Sequence, residues 1–293
     1  GDGFNAALAE AQEKSRAGGK KSGGPTLLFE AEATAWLQNN GVSPTDDAAK
    51  YAPMGTVPKA KVAAILTMDG FKQSTEGVTG PIGLVLDQTS FYAESGGQVC
   101  DTGSIVCGGG GGGGFFGGGG GAATGTLVVE DVKVAAGFVL HSGAAVEGVV
   151  KVGDACEAKV DYDRRGNIMP NHTLTHVLNY ALRTVLGDGV DQKGSLVDDE
   201  KLRFDFSHNK AMTAEEVKKV EAIVREQIGR KLGVDTREVA LDKAKAISGL
   251  RAVFGEVYPD PVRVVSVGPK IDDLLASPAS EEWKSYSIEF CGG

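Results

Sequence analysis

The stretch NHTLTHVL, Asn171–Leu178, reads as helix and carries two of the chain's four histidines, His172 and His176, four residues apart. On an α-helix that spacing stacks both imidazoles on one face, one turn apart, within reach of a single metal ion. Neutral imidazole suits zinc. Near the far end stands Cys291, followed by two glycines, a thiol able to fold back on the pair as a third ligand. The pair by itself is as compatible with a solvated helix face as with a metal. It is not the HExxH signature of zinc proteases: Thr173, Leu174 and Thr175 stand between the rings, with no glutamate to act as general base.

On either side of that helix the chain changes character. Upstream, KVAAILTMDG from Lys61 and GPIGLVLDQTSFY from Gly80 are apolar runs bounded by Gly, Pro or Asp, and predict strands. Strands resume at Gly125–Val134, Gly137–Leu140, Glu147–Val150 and Cys156–Val160. Short strands with regular turns predict a small β-barrel over 25–160. Within it the glycine run 108–121 neither packs a strand nor stabilises a helix, and predicts a disordered hairpin extension. Ahead of it, Phe4–Arg16 predicts the end of a charged helix and GGKKSGG a linker, together 1–24. Phe29–Asn40 predicts a short helix broken by Gly41 and Pro44.

Downstream, Pro170-Asn171 introduces the histidine helix, which runs to Leu186 and stops at Gly187. Leu202–Phe206 alternates as a strand does. Thr213 caps a helix from Ala214 to about Leu232, with Glu216 completing a capping box. Thr236–Leu241, Val262–Val267 and Tyr286–Phe290 predict strands, with Asp242–Ser248 a short helix between them. The fold class expected is α+β: a small β-barrel, then over 161–293 an antiparallel sheet with helices on one face.

Composition bounds the function. The chain has 293 residues, 41% hydrophobic and 24% charged, as in an ordinary folded protein with a sizeable core. No run is long and apolar enough to span a bilayer, so no membrane partner is expected, and the first residues lack the apolar core of a signal peptide. A net charge of −9 argues against a surface that coats nucleic acid. The second half nevertheless holds 21 of the 30 Lys and Arg, so a polyanion would meet a local patch such as Arg164-Arg165 or Lys201/Arg203. Lys218-Lys219 reads as a solvated helix face. Cysteines at 100, 107, 156 and 291 make no disulfide framework, which predicts a reducing compartment. The missing initiator Met and the end at Gly293 read as a fragment.

Three segments in register, LDQTSFYAESGGQVCDTG (Leu86–Gly103), NHTLTHVL and QKGSLVDDEKLRFDFSH (Gln192–His208), followed by SIEFCGG at the end, resemble the editing domain of alanyl-tRNA synthetase. The resemblance covers most of 25–293, and the leading helix resembles the tail of the family's tRNA-recognition domain. It implies the second additional domain type shared by threonyl- and alanyl-tRNA synthetases, and hydrolysis of Ser or Gly mischarged on tRNA(Ala). It also implies zinc held by His172, His176 and Cys291. The family's fourth ligand, a histidine four residues after the cysteine, lies beyond Gly293, which predicts weakened metal binding. ATP and ligase activity would belong to the parent enzyme's other domains. The alternatives are a non-catalytic tRNA-binding or structural module with structural zinc, and a free-standing editing factor. A cytoplasmic setting is expected, with an organelle as alternative.

Ester hydrolysis needs a placed water and something to stabilise charge on the carbonyl oxygen. Zinc would supply a hydroxide or anchor the substrate's amino group or terminal adenosine. Gln98, after Gly96-Gly97, is the residue expected to orient the water or the ester carbonyl, against a plain turn-capping role. Thr89 and Glu94 are secondary catalytic candidates, Thr89 as a reader of the serine hydroxyl. Asp101 and Asp205 are expected to orient the histidines, with turn formation the other reading of Asp101. Arg203 is expected to contact phosphate, against a simple pairing with Asp205.

Overall fold

The computed structural model describes residues 27–108, 123–252 and 257–292. The expected leading helix and linker, and the glycine insertion beyond Gly108, lie outside the described residues.

The first half is one antiparallel sheet. Its strands are β1 (Lys59–Thr67), β2 (Gly70–Lys72), β3 (Ile82–Leu86), β4 (Gly103–Gly108), β5 (Ala123–Val129), β6 (Asp131–Ala135), β7 (Phe138–Gly143), β8 (Val146–Gly148) and β9 (Ala155–Val160). They run in the order β6-β7-β3-β1-β9-β4-β5-β8, with β2 paired to β1. Strand β1 changes partner along its length: Lys59–Lys61 pair with β9 and Val62–Thr67 with β3, the register shifting between Val62 and Ala64. That shift bends the sheet so that its arms wrap one core.

Side-chain alternation decides what each strand covers. Ile82, Leu84 and Leu86 of β3 enter the main core with Ile105 and Leu127. Val85 points the other way, to a second cluster with Leu27, Phe29 and Leu37. Leu37 belongs to α1 (Ala31–Asn39), which closes the back of the sheet. The arms meet where Glu130 N–H donates to Ser142 O, 2.9 Å away. There Gly143 lies against Val128, whose carbonyl oxygen would be 2.0 Å from any added Cβ. Yet the hydrogen-bonded path ends at β6 and β8, so the expected small barrel is corrected to a curled, open sheet among the described residues. The four cysteines are free thiols, with Cys107 and Cys156 paired across β4 and β9.

His141 of β7 is fully buried in this sheet. Its Nδ1–H donates to Leu84 O at 3.1 Å, so Nε2 accepts from the Thr89 hydroxyl at 2.8 Å. Burial pushes its pKa down to about 4, the Leu84 carbonyl opposing only in part. Between pH 6.5 and about 4 the unfolded chain takes up a proton that the folded one refuses, so stability falls on acidification. The loss should approach roughly 3 kcal/mol across that window. Urea unfolding of His141→Gln should show a correspondingly flatter pH dependence; a slope equal to wild type would refute the assignment.

The second half is built on a long helix, α2 (Tyr162–Leu186), followed by the hairpin β10 (Gln192–Val197) and β11 (Leu202–Phe206). Next come α3 (Ala214–Arg230), β12 (Val234–Val239), α4 (Leu241–Lys245), β13 (Val262–Val267), α5 (Ile271–Ala276) and β14 (Ser287–Phe290). Strands β12, β13 and β14 form a three-stranded antiparallel sheet, whose apolar face packs with Ala244, Ile271 and Leu274 of α4 and α5. Helices α2 and α3 share a cluster of Ala181, Leu182 and Val220. The Thr213–Glu216 capping box starts α3 as expected. Helix α2, however, begins nine residues before Asn171: Asp161 caps it, accepting from Arg164 N–H, and Pro170 sits inside. A proline removes one helical hydrogen bond but does not end a helix anchored on both sides.

Candidate metal centre

The early start of α2 carries Arg165 into the joint between the halves. Arg165 is 4% exposed; its guanidinium pairs with Asp101 and donates to Ser90 O at 2.6 Å. Asp101 also accepts from Tyr92 N–H at 2.6 Å, so the pair ties α2 to the segment 88–101. Arg164 donates to Cys100 O at 2.8 Å and faces Asp199 at 3.4 Å. A second tie is β10: Val197 N–H donates to Gly97 O at 2.7 Å and Val99 N–H to Val197 O at 3.0 Å. On the far side the Arg263 guanidinium lies 3.8 Å over the ring of Tyr51.

These ties set Gln98 against α2. Gly96 and Gly97 have φ of 59° and 80°, so the turn presents Gln98 side chain inward, 5% exposed. Its Oε1 accepts from His172 Nδ1–H at 2.6 Å, which turns the ring's Nε2 toward the thiol. One turn on, His176 Nδ1–H donates to Glu289 Oε2 at 2.7 Å. Glu289 Oε1 accepts from Asn179 at 2.7 Å and stands 4.0 Å from Arg251. The two imidazole rings are 5.4 Å apart, tilted by 26°.

Cys291 follows β14, and its Sγ is 3.5 Å from His172 Nε2. All three candidate ligand atoms lie within 4.8 Å of one another. Zinc–sulfur and zinc–nitrogen bonds of usual length span roughly 3.5 Å across a tetrahedral angle, so the separation of Cys291 Sγ from His172 Nε2 fits that ion. Burial pushes the Cys291 thiol up, but hydrogen bonds from His172 and His176 and their charge outweigh it and bring it down to about 5. For His176 burial works downward, and the bonds to Cys291 and Glu289 carry it up to about 10. The thiolate of Cys291 therefore sits beside a protonated His176, and zinc would displace that proton to take the thiolate and both imidazoles as ligands. Tyr92 borders it, its hydroxyl donating to Ser95 O at 3.0 Å and burial pushing its phenol up.

The other expected site residues sit elsewhere. Thr89 is fully buried and its hydroxyl is given to His141. Glu94 is exposed beside β6, its N–H donating to Val132 O at 3.3 Å. Arg203 and Asp205 pair with each other at 3.1 Å on the exposed hairpin, and Asp101 serves Arg165, so the carboxylate on His176 is Glu289 instead. Two sequence signals point to the missed residues. Glu289 precedes Cys291 by two, the spacing of one strand face, and Asn179 follows His176 by three, the spacing of one helix face.

Comparison with known proteins points to one family. The family described as tRNA synthetases class II (A) matches residues 1–164. An alanine–tRNA ligase of Candida albicans is 48% identical over 293 residues, all of this chain but 29% of that protein. The mitochondrial alanine–tRNA ligase of Saccharomyces cerevisiae is 47% identical, over all of this chain and 28% of its own length. The cytoplasmic alanine–tRNA ligase of Dictyostelium discoideum is 46% identical over 98% of this chain and 29% of its own length. The chain thus spans under a third of the relatives it matches, and no described helix is long and apolar enough to cross a membrane. It belongs to the class II alanyl-tRNA synthetase family.

Proposed function

We propose that the chain is the proofreading portion of an alanine–tRNA ligase, hydrolysing Ser or Gly wrongly esterified to tRNA(Ala) at a zinc site of His172, His176 and Cys291. The need is physical: a pocket sized for alanine cannot exclude glycine by sterics, and a serine hydroxyl adds too little for binding alone to reject. Activation of alanine with ATP belongs, on this reading, to the rest of the parent enzyme, in the cytosol or an organelle as in the relatives.

The observation that carries the reading is the contact of Gln98 with His172 at the mouth of a three-ligand cluster. Zinc bound there would supply Lewis-acid polarisation or a hold on the substrate's amino group. With Oε1 committed to His172, the Gln98 amide offers its NH2 end to the ester carbonyl, where it would stabilise developing negative charge. Glu289 keeps His176 in the tautomer that presents Nε2. Arg164, at the rim of the joint and less buried than Arg165, is proposed to meet the tRNA backbone, with Arg203 on the hairpin.

The test is deacylation of Ser-tRNA(Ala) by the full-length protein, with metal content measured in parallel. His172→Ala and Cys291→Ala should each lose the metal and lower the rate by at least roughly 100-fold, the scale of losing one charge-stabilising element. Metal loss with an unchanged rate would sink the zinc reading. A chain that unfolds without metal, and never deacylates with it, would instead indicate a structural zinc in a tRNA-binding module.

A further inference from the structure

Beside Glu289 lies a cavity of about 20 Å³ whose lining includes Asn179, Arg183, Asp191, Arg251 and Glu289. That volume accommodates about one water molecule. Three polar atoms of its lining are buried with no hydrogen-bond partner among the described residues: Arg183 Nε, Arg251 Nη1 and Asn179 Oδ1. The Arg251 side chain is nine-tenths buried, held by Nη2 donating to Tyr286 O at 3.2 Å and by its guanidinium 4.8 Å from the Tyr180 ring.

The amide of Asn179 cannot be turned over. Its NH2 end must face Glu289, because a carboxylate only accepts, so Oδ1 is left as an acceptor. The lining therefore offers two donors and one acceptor. A plain anion would meet Asn179 Oδ1 and the Glu289 carboxylate as well as the two guanidinium groups, and those groups already have acidic neighbours in Asp191, 3.9 Å from Arg183, and Glu289. Water accepts from both arginines and donates to Asn179, satisfying all three atoms at once.

We propose that this cavity binds one water, and that Asn179, Arg251 and the water form a positioning network that acts through Glu289 on the orientation of His176. The network runs from the cavity through Asn179 to Glu289 Oε1, and from Glu289 Oε2 to His176 Nδ1. With Asn179 fixed, the carboxylate is held in one plane and the imidazole with it, so Nε2 stays aimed at the metal position. Asn179 and Arg251 are positioning residues and touch no substrate. The inference rests on the metal reading above.

Cobalt(II) titration of the full-length protein tests it, because cobalt reports both affinity and ligand geometry in its visible spectrum. Asn179→Leu and Arg251→Gln should each weaken cobalt binding by roughly ten- to a hundredfold, the usual effect of losing a partner that orients a ligand. Their d–d bands should shift, which a merely structural residue would not cause, and Arg251→Lys should restore most of both. Should one variant fail to fold, the other still decides. Wild-type affinity and bands in a folded variant would overturn the proposal while leaving the metal reading intact. A wild-type protein that binds no cobalt would overturn both. A crystal structure of the metal-bound protein should place one water within hydrogen-bond distance of all three atoms; a dry cavity would overturn the proposal.

Discussion

Replacing Gly97 by Ala is expected to lower deacylation of Ser-tRNA(Ala) by roughly 100-fold, the penalty of moving a catalytic side chain by about an ångström. Two independent obstacles meet at this residue. Its φ of 80° is a conformation that costs an L-residue about 1–2 kcal/mol. A Cβ there would also lie 2.1 Å from Ser195 Oγ and 2.6 Å from Ser195 O. The strand β10 must then withdraw, and with it the bonds between Val197 and the flanks of Gln98. Gln98 also holds the His172 ring, so metal affinity should fall as well, by roughly ten- to a hundredfold, although all three ligands remain in place on α2 and after β14. A rate that stays low at saturating metal separates a displaced Gln98 from an unfilled site. Removing the hydroxyl in Gly97→Ala/Ser195→Gly should recover only part of the rate, since the backbone oxygen remains in the way. A Gly97→Ala protein with the wild-type single-turnover rate would show that Gln98 does not need this turn.

The residues that sequence made legible are those whose signal is local. Two histidines at helical spacing, the Thr213–Glu216 capping box and the apolar run Val262–Val267 each encode their geometry within a few residues, and each lies in the expected element. What escaped depends on partners far along the chain. The start of α2 was hidden because Pro170 reads as a helix opener, whereas the anchoring comes from Asp161 and from Arg165 bonded to Asp101, 64 residues away. The sheet's failure to close turns on which strands β6 and β8 meet, and short alternating strands look the same in a barrel and in a curled sheet. Likewise, two carboxylates that looked suited to orient the histidines, Asp101 and Asp205, are claimed by Arg165 and Arg203. Glu289 takes that place because β14 pairs with β13 in a register that brings its side chain onto α2.

The largest effect on stability is expected at Arg165→Met, about 3–5 kcal/mol, because it leaves Asp101 charged, 1% exposed and without its cation. Asp101→Asn should be milder, about 2 kcal/mol, the scale of one charge-assisted hydrogen bond. The asymmetry follows from what each partner keeps. An asparagine still accepts from Tyr92 N–H, and Arg165 retains Ser90 O and, at 3.5 Å, Lys50 O. A methionine gives Asp101 nothing, and also withdraws the donor from Ser90 O. Equilibrium urea unfolding of the two variants would check the order; an Asp101→Asn protein less stable than Arg165→Met would refute it. The same pair bears on chemistry, because Arg165 precedes His172 by two helical turns and Asp101 follows Gln98 by three residues. Loosening it should let α2 slide against the segment that carries Gln98, so the surviving folded Arg165→Met protein should bind metal more weakly and deacylate slowly even at saturating metal. A rate that recovers fully once the fraction folded is corrected for would confine Arg165 to stability alone.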